Sequence, residues 1–262
     1  MENFNAYLES LNYNYQKPAK LFGEQNNKTI KGLKKGYRTL IIYMSPEKQN
    51  SYGKNLCPKA SEGCKKACLF TAGMGIFPRN IKARTMKADY FIKDRASFME
   101  QAVKEIKLAI KKEIRLKDKG KNLAIRMNGT SDIPFENIPL TFEGKEYKNI
   151  MEIFPDIQFY DYTKVYSRLL KDLPANYDLT FSRSENETNH IECIQALGKG
   201  FRVASVFRIK EASQLPTIMD NFKVVDGDET DLTFLHPKGV ILGLKAKGRA
   251  VKEKTGFVID LN

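Results

Sequence analysis

Short apolar runs recur along the chain, and segments with helical spacing lie between them. Thr39–Met44, Asn122–Met127, Ile157–Tyr162, Tyr177–Phe181, Phe201–Phe207, Lys223–Val225 and Val240–Leu244 read as strands. Arg79–Asp94, Ala96–Lys117, a short stretch near Asn149–Phe154, Val165–Lys171, Glu187–Leu197 and Glu211–Asn221 read as helices, the last interrupted by Pro216. The clearest helix repeats Phe98, Met99, Ala102, Val103, Ile106, Ile110 and Ile114 at helical spacing and meets a stop signal at Gly120. Strands that alternate with helices imply βαβ units and a parallel sheet. The unbroken apolar character of Thr39–Met44 suits a strand covered on both faces. Right-handed crossovers wind such a chain into a full or partial barrel, or leave an open sheet. The expected architecture is one α/β domain over residues 37–250, a parallel (β/α) barrel or partial barrel. A basic extension at 1–36, with a turn or short hairpin in NNKTIKGLKKG, precedes it, and a tail at 251–262 follows.

Polar residues fall just after each strand: Asn128-Gly129-Thr130-Ser131-Asp132, Thr163-Lys164, Ser182-Arg183-Ser184, Arg208, Asp226-Gly227-Asp228 and Lys245-Ala246-Lys247-Gly248-Arg249. In parallel α/β folds the C-terminal ends of the strands share one face, and active sites lie there. Loop starts are polar in any fold. Their recurrence after every strand, together with the cysteines, favours a site.

The cysteines sit in Asn55–Gly75, NLCPKASEGCKKACLFTAGMG, directly after the first strand. Cys57, Cys64 and Cys68 are spaced C-x6-C-x3-C in a polar, turn-rich loop. Three thiolates on one loop suit an iron–sulfur cluster or a zinc ion. Three ligands leave a fourth position open for chemistry, whereas a fourth protein ligand would close a structural site. With 262 residues, 42% of them hydrophobic, the chain can bury its own core without disulfides. No run approaches a transmembrane span and no export signal is visible, so a reducing cytoplasm is expected. The formal net charge of +13 favours a polyanion, a nucleic acid or nucleotide, or else a solvated lysine-rich surface. Lys245, Lys247 and Arg249 are the candidates for phosphate contact. Tyr37, Tyr43, Tyr52, Phe159, Tyr160 and Tyr162 lie near basic residues, where base stacking and core packing are both open readings. His190 stands one helical turn from Cys193, a spacing that allows a zinc pair or a surface coincidence. The oligomeric state is not readable.

A cysteine loop after the first strand of a parallel α/β barrel resembles the radical S-adenosylmethionine enzymes, although their common spacing is C-x3-C-x2-C. The resemblance implies that Cys57, Cys64 and Cys68 hold a four-iron cluster (4Fe-4S) whose open iron binds S-adenosylmethionine. It also implies that Asn128, Gly129, Ser131 and Asp132 contact the methionine part, and that Ser182 and Arg183 reach the ribose or carboxylate. A closer similarity is to the phage "gene product 88" domain family. It is carried by CPKASEGCKKACL, NGTSDIPFE, FYDYTK, LTFSRSE, VVDGD and GLKAKGRA, and extends over almost the whole chain. The expected function is therefore an iron–sulfur, S-adenosylmethionine-dependent enzyme acting on a nucleic acid or nucleotide in the cytoplasm of the host cell. Asp132, Lys164, Arg208, Asp226 and Asp228 are its candidate catalytic and substrate residues. The alternative is a non-catalytic, metal-stapled nucleic-acid-binding protein, with zinc as the metal.

Overall fold

A computed structural model describes residues 2–24, 27–68, 73–115 and 122–261. Its elements in chain order are α1 (Glu2–Ser10), β1 (Phe22–Gly23), α2 (Asn27–Lys34), β2 (Tyr37–Ile42), α3 (Glu62–Lys66), α4 (Pro78–Lys93), α5 (Arg95–Arg115), β3 (Asn122–Arg126), β4 (Leu140–Phe142), β5 (Lys145–Tyr147), α6 (Ile150–Ile153) and β6 (Gln158–Thr163). They continue with β7 (Tyr177–Ser182), α7 (Glu187–Gly198), β8 (Val203–Phe207), β9 (Ile218–Met219), β10 (Phe222–Asp226), β11 (Ile241–Lys245) and β12 (Val258–Ile259). The chain is mixed α/β with a large, mostly parallel sheet. Among the described residues no strand pairing closes a barrel; two-residue strands, β1 and β9, pair antiparallel at the edges. No helix among them is long and apolar enough to cross a membrane.

The contacts divide the chain into two compact units. The first comprises Met1–Cys57, Ile76–Phe159 and Leu173–Tyr177. In it β2 runs parallel to β3, from Tyr37 opposite Asn122 to Ile41 opposite Arg126, and β3 runs parallel to the start of β6. Leu40, Ile41, Ile42, Ala124 and Ile125 are almost wholly buried, as continuous apolar strands must be when both faces are covered. Phe98, Met99, Ala102, Val103 and Ile106 form the inward stripe of α5 that their spacing predicts. Phe91 of α4 sits edge-on to both Phe98 and Phe135, at 5.2 and 5.6 Å between centroids. Pro78 opens α4, where its missing N–H costs nothing. Asp94 ends α4, and its carboxylate accepts the Ser97 N–H at the start of α5. Lys117 and Gly120, the expected end of that helix, lie outside the described residues.

The second unit comprises Pro58–Gly75, Tyr160–Asp172 and Asp178–Asn262. Parallel pairing joins β7 to β8, β8 to β11 and β11 to β10. β7 pairs with β8 only at Phe181–Val203 and Ser182–Ala204; beyond that point β12 takes the same flank, with Val258 opposite Val206 and Ile259 opposite Phe207.

Several segments differ from their sequence reading. NNKTIKGLKKG contains helix α2, with Thr29 and Gly32 facing inward and Gly36 in the left-handed region just past its end. Val165–Lys171 forms only a 3-10 turn at Tyr166–Arg168. The Thr163 hydroxyl accepts the Val165 N–H and bends the chain, leaving too few residues to nucleate a helix. Glu211–Asn221 is a capped 3-10 turn followed by the β9–β10 hairpin, because Pro216 blocks a helix. Asp220 and Asn221, both at positive φ, make the tight turn whose twist suits a two-residue hairpin.

Gly129 needs its missing side chain for packing. Its N–H donates to the Ile42 carbonyl at 2.8 Å, and a Cβ would meet Tyr43 at 2.6 Å, that carbonyl oxygen at 2.7 Å and Ile41 at 2.8 Å. Gly129→Ala is therefore expected to cost about 1–3 kcal/mol and lower the thermal midpoint. Gly198→Ala, where a Cβ meets nothing within 4 Å, is expected to be neutral or to stabilise by up to about 1 kcal/mol. Calorimetry of the two variants checks the contrast.

Candidate functional site

In the second unit the cysteine loop is seated by its own serine and glycine. Ser61 is the N-cap of α3, and its hydroxyl oxygen accepts the Cys64 N–H at 3.2 Å. That hydroxyl also donates to Glu185 Oε2 at 2.6 Å, while the Gly63 N–H donates to Glu185 Oε1 at 2.8 Å. One carboxylate thus holds both Ser61 and Gly63, three residues and one residue before Cys64. A Cβ on Gly63 would stand 2.3 Å from Thr255 Oγ1, 2.5 Å from Phe257 Cβ and 2.9 Å from Glu185 Oε2, so only glycine allows this approach. Ala67 packs with Ala246, Ala250, Phe257 and Val258, and the half-buried Cys64 and Val206 lie against the same cluster. The Ser-x-Gly-Cys step therefore has a local explanation: cap, carboxylate acceptor and close packing.

Phe257 also gathers expected site residues that follow the strands. Lys164 Nζ lies 5.0 Å from the centroid of its ring, and donates to Ser182 Oγ at 2.7 Å and the Arg183 carbonyl at 2.9 Å. Arg183 Nη1 donates to the carbonyls of Gly256 and Phe257 at 3.0 and 3.3 Å. Arg208 pairs with Asp260, and its guanidinium donates to the carbonyls of Val251 and Glu253. Both arginines hold the segment that leads into β12. Asp226 accepts the Asp228 N–H at 2.8 Å, as a turn-forming aspartate does. Asp228 accepts the Lys245 N–H at 2.8 Å and pairs with Lys247, while Lys245 Nζ donates to the Lys210 carbonyl at 2.7 Å.

The loop after β3 lies in the first unit and supports the start of the cysteine loop. Asn128 Oδ1 accepts Ser131 Oγ and the Ile133 N–H, each at 2.8 Å, and Asn128 Nδ2 donates to the Ile133 carbonyl. These polar atoms close their own loop. The Asp132 N–H donates to the Leu56 carbonyl at 2.8 Å, and the Cys57 thiol lies 3.7 Å from the Thr130 carbonyl. Asp132 itself is buried.

None of the four cysteines is in a disulfide; Cys57, Cys64 and Cys68 are half-buried and Cys193 is buried. The half-buried thiols supply the donor type that a thiophilic ion or cluster requires. Among the described residues no group of three or more His, Cys, Asp or Glu side chains is arranged to hold a metal ion. His190 approaches Asp220 at 3.9 Å, and Cys193 hydrogen-bonds to Asn189 Oδ1 at 3.6 Å. Glu185, Thr255 and Phe257 were not singled out by sequence reasoning. Glu185 stands at the end of LTFSRSE, and the tail carries a strand-like FVI, but neither signal reveals a partner far away in the chain.

Burial pushes the Cys193 thiol up to about 12. At pH 8 iodoacetamide is therefore expected to leave Cys193 unmodified in the native protein and to alkylate the half-exposed cysteines. Glu185→Ala releases Ser61 and Gly63 and is expected to speed alkylation of Cys64 several-fold, with Cys193 unchanged. Peptide mass spectrometry over time reads both.

The sequence matches the family described as Gene product 88 over residues 19–261. Comparison with curated proteins and with solved structures gives no match. The match takes in the cysteine loop, Glu185 and the C-terminal segment through Asp260, so the whole seat of Cys64 falls inside it. The chain belongs to the Gene product 88 family.

Proposed function

We propose that the chain is a thiolate-metal enzyme acting on a nucleic acid or nucleotide, with Cys57, Cys64 and Cys68 binding one iron–sulfur cluster. The observation that carries this reading is the seat of Cys64. A carboxylate acceptor, a serine cap and a glycine that admits close neighbours fix the backbone that bears this thiol. A donor held in place by its surroundings is what a functional site requires, and Cys64 is the one thiol of the three for which such a seat is described. The three together are not arranged as a metal-holding group among the described residues. The assignment of all three ligands rests on their spacing within one loop, and bound there a cluster would supply an open iron position. Lys164, over the Phe257 ring, places positive charge in the unit that holds Cys64, which favours an anionic substrate. S-adenosylmethionine is the co-substrate that the radical-enzyme resemblance adds. Asn128 and Ser131 turn their polar atoms into their own loop, so no contact to it is assigned to them.

A second reading is a metal-stapled nucleic-acid-binding protein without catalysis. It is favoured by Arg183 and Arg208, which donate to carbonyls of the C-terminal segment, a structural use of both side chains.

Anaerobic purification with iron, sulfide and zinc analysis separates the two. The enzyme reading expects about four irons and four sulfides per chain with broad visible absorbance. It also expects Cys57→Ser, Cys64→Ser and Cys68→Ser each to lose most of the iron. Reduced protein incubated with S-adenosylmethionine is then expected to release 5′-deoxyadenosine. Stoichiometric zinc without iron moves the assignment to the staple, and absence of any bound metal overturns both.

A further inference from the structure

A group of tyrosines and lysines in the first unit stands apart from the cysteine loop's seat. Tyr13 and Tyr15 follow α1, Tyr52 lies in the loop after β2, and Tyr90 is in α4. Asp89 organises them. Its carboxylate accepts the Tyr13 hydroxyl at 2.7 Å, the Ser51 hydroxyl at 2.6 Å and the Ser51 N–H at 3.0 Å, fixing the N-terminal segment against the loop that carries Tyr52. Tyr15 is half-buried and Tyr52 is 46% exposed. Burial first, then the neighbouring hydroxyls of Tyr90 and Tyr52, push the Tyr15 phenol up.

Cations flank these rings. Lys93 Nζ lies 4.9 Å from the Tyr15 centroid and Lys17 Nζ lies 5.1 Å from that of Tyr90. Both lysines are exposed, as is Arg95, whose guanidinium lies 5.1 Å from the Phe91 centroid. The nearby carboxylates have partners: Asp89 as described, Asp94 with the Ser97 N–H and Glu100 with Lys104. Beside Lys17 a shallow groove runs between Pro18–Ala19 and α5, lined by Gln101, Lys104, Leu108 and Glu105, whose carboxylate accepts the Leu21 and Phe22 N–H groups.

One exposed ring, Tyr52, and one half-buried ring, Tyr15, with exposed Lys93 over Tyr15 and exposed Lys17 over the buried Tyr90, on a chain of net charge +13, match the two demands of single-stranded nucleic acid. Every base offers a face for stacking, and every phosphate needs a counter-charge. Duplex DNA hides its base faces, and a protein partner would not require this pairing of aromatic and lysine. We propose that this surface binds single-stranded DNA or RNA, with bases stacked on Tyr15 and Tyr52 and phosphates held by Lys17 and Lys93. The proposal shares the nucleic-acid partner of the function proposed above but not its metal, so metal content and oligonucleotide binding fail separately.

The test is fluorescence anisotropy of labelled oligothymidylate and oligoadenylate, about 15 nucleotides long, over a series of salt concentrations. Duplex of the same length and heparin serve as competitors. Tyr15→Ala and Tyr52→Ala are each expected to weaken binding about ten-fold, the effect of losing one stacked base. Tyr15→Phe and Tyr52→Phe keep the ring and are expected to retain affinity, which separates stacking from a folding defect. Lys93→Gln is expected to reduce the slope of log affinity against log salt by about one. The iron content of all these variants should equal that of the unaltered protein, whatever that content is. Absent binding, equal binding of duplex or heparin, or unchanged affinity in both alanine variants would overturn the proposal.

Discussion

Strand β8 pairs with β11 along its whole length on one flank, but on the other flank no single strand does the same. β7 hydrogen-bonds to it as far as Ser182 and Ala204, then leaves. A buried strand cannot leave its remaining N–H and C=O groups unpaired without a cost comparable to lost hydrogen bonds. β12 fills the gap with two residues, and the Arg208 N–H continues the pairing to the Ile259 carbonyl. Two residues of ladder are weak by themselves. The guanidinium of Arg208, that of Arg183 and the ring contact of Lys164 with Phe257 secure the segment that delivers them.

The seat of Cys64 depends on that completed flank. Gly63 approaches Thr255 and Phe257, in the segment that leads into β12, and Glu185 reaches the cysteine loop from the end of β7. The divergence of β7 from β8 therefore serves two ends. It opens the flank that β12 occupies, and it releases the chain that places Glu185 beneath the loop. A single carboxylate with two hydrogen bonds then determines where the α3 turn begins.

Much of this architecture is legible in the sequence, because periodicity and burial are local properties. The stripe from Phe98 to Ile106, the continuous strands around Ile41 and Ile125 and the placement of polar residues after strands follow from spacing alone. What was not legible depends on distant partners. Nothing near Arg208 says that it binds carbonyls more than forty residues further on rather than a substrate, and nothing near Asn128 says that its amide closes its own loop. The β9–β10 hairpin is hard to read for a different reason: helical spacing runs through Glu211–Asn221, and the Asp220-Asn221 turn and Pro216 that break it are single local signals. Tyr52 is legible as an aromatic near basic residues, whereas the place of Tyr13, Tyr15 and Tyr90 is not, because only the fold gathers them.

The bonds from Ser61 and Gly63 to Glu185 span 124 and 122 positions along the chain. Contacts of such long range form late in folding, since the entropy of closing the intervening loop must be met first. Until they form, the thiol of Cys64 lies in an unanchored loop, open to oxidation and to any thiophilic ion it encounters. The chemistry of this residue therefore waits on the order of folding: its geometry is complete only after β7, β8 and β12 have come together, so its seating reports that the second unit has folded.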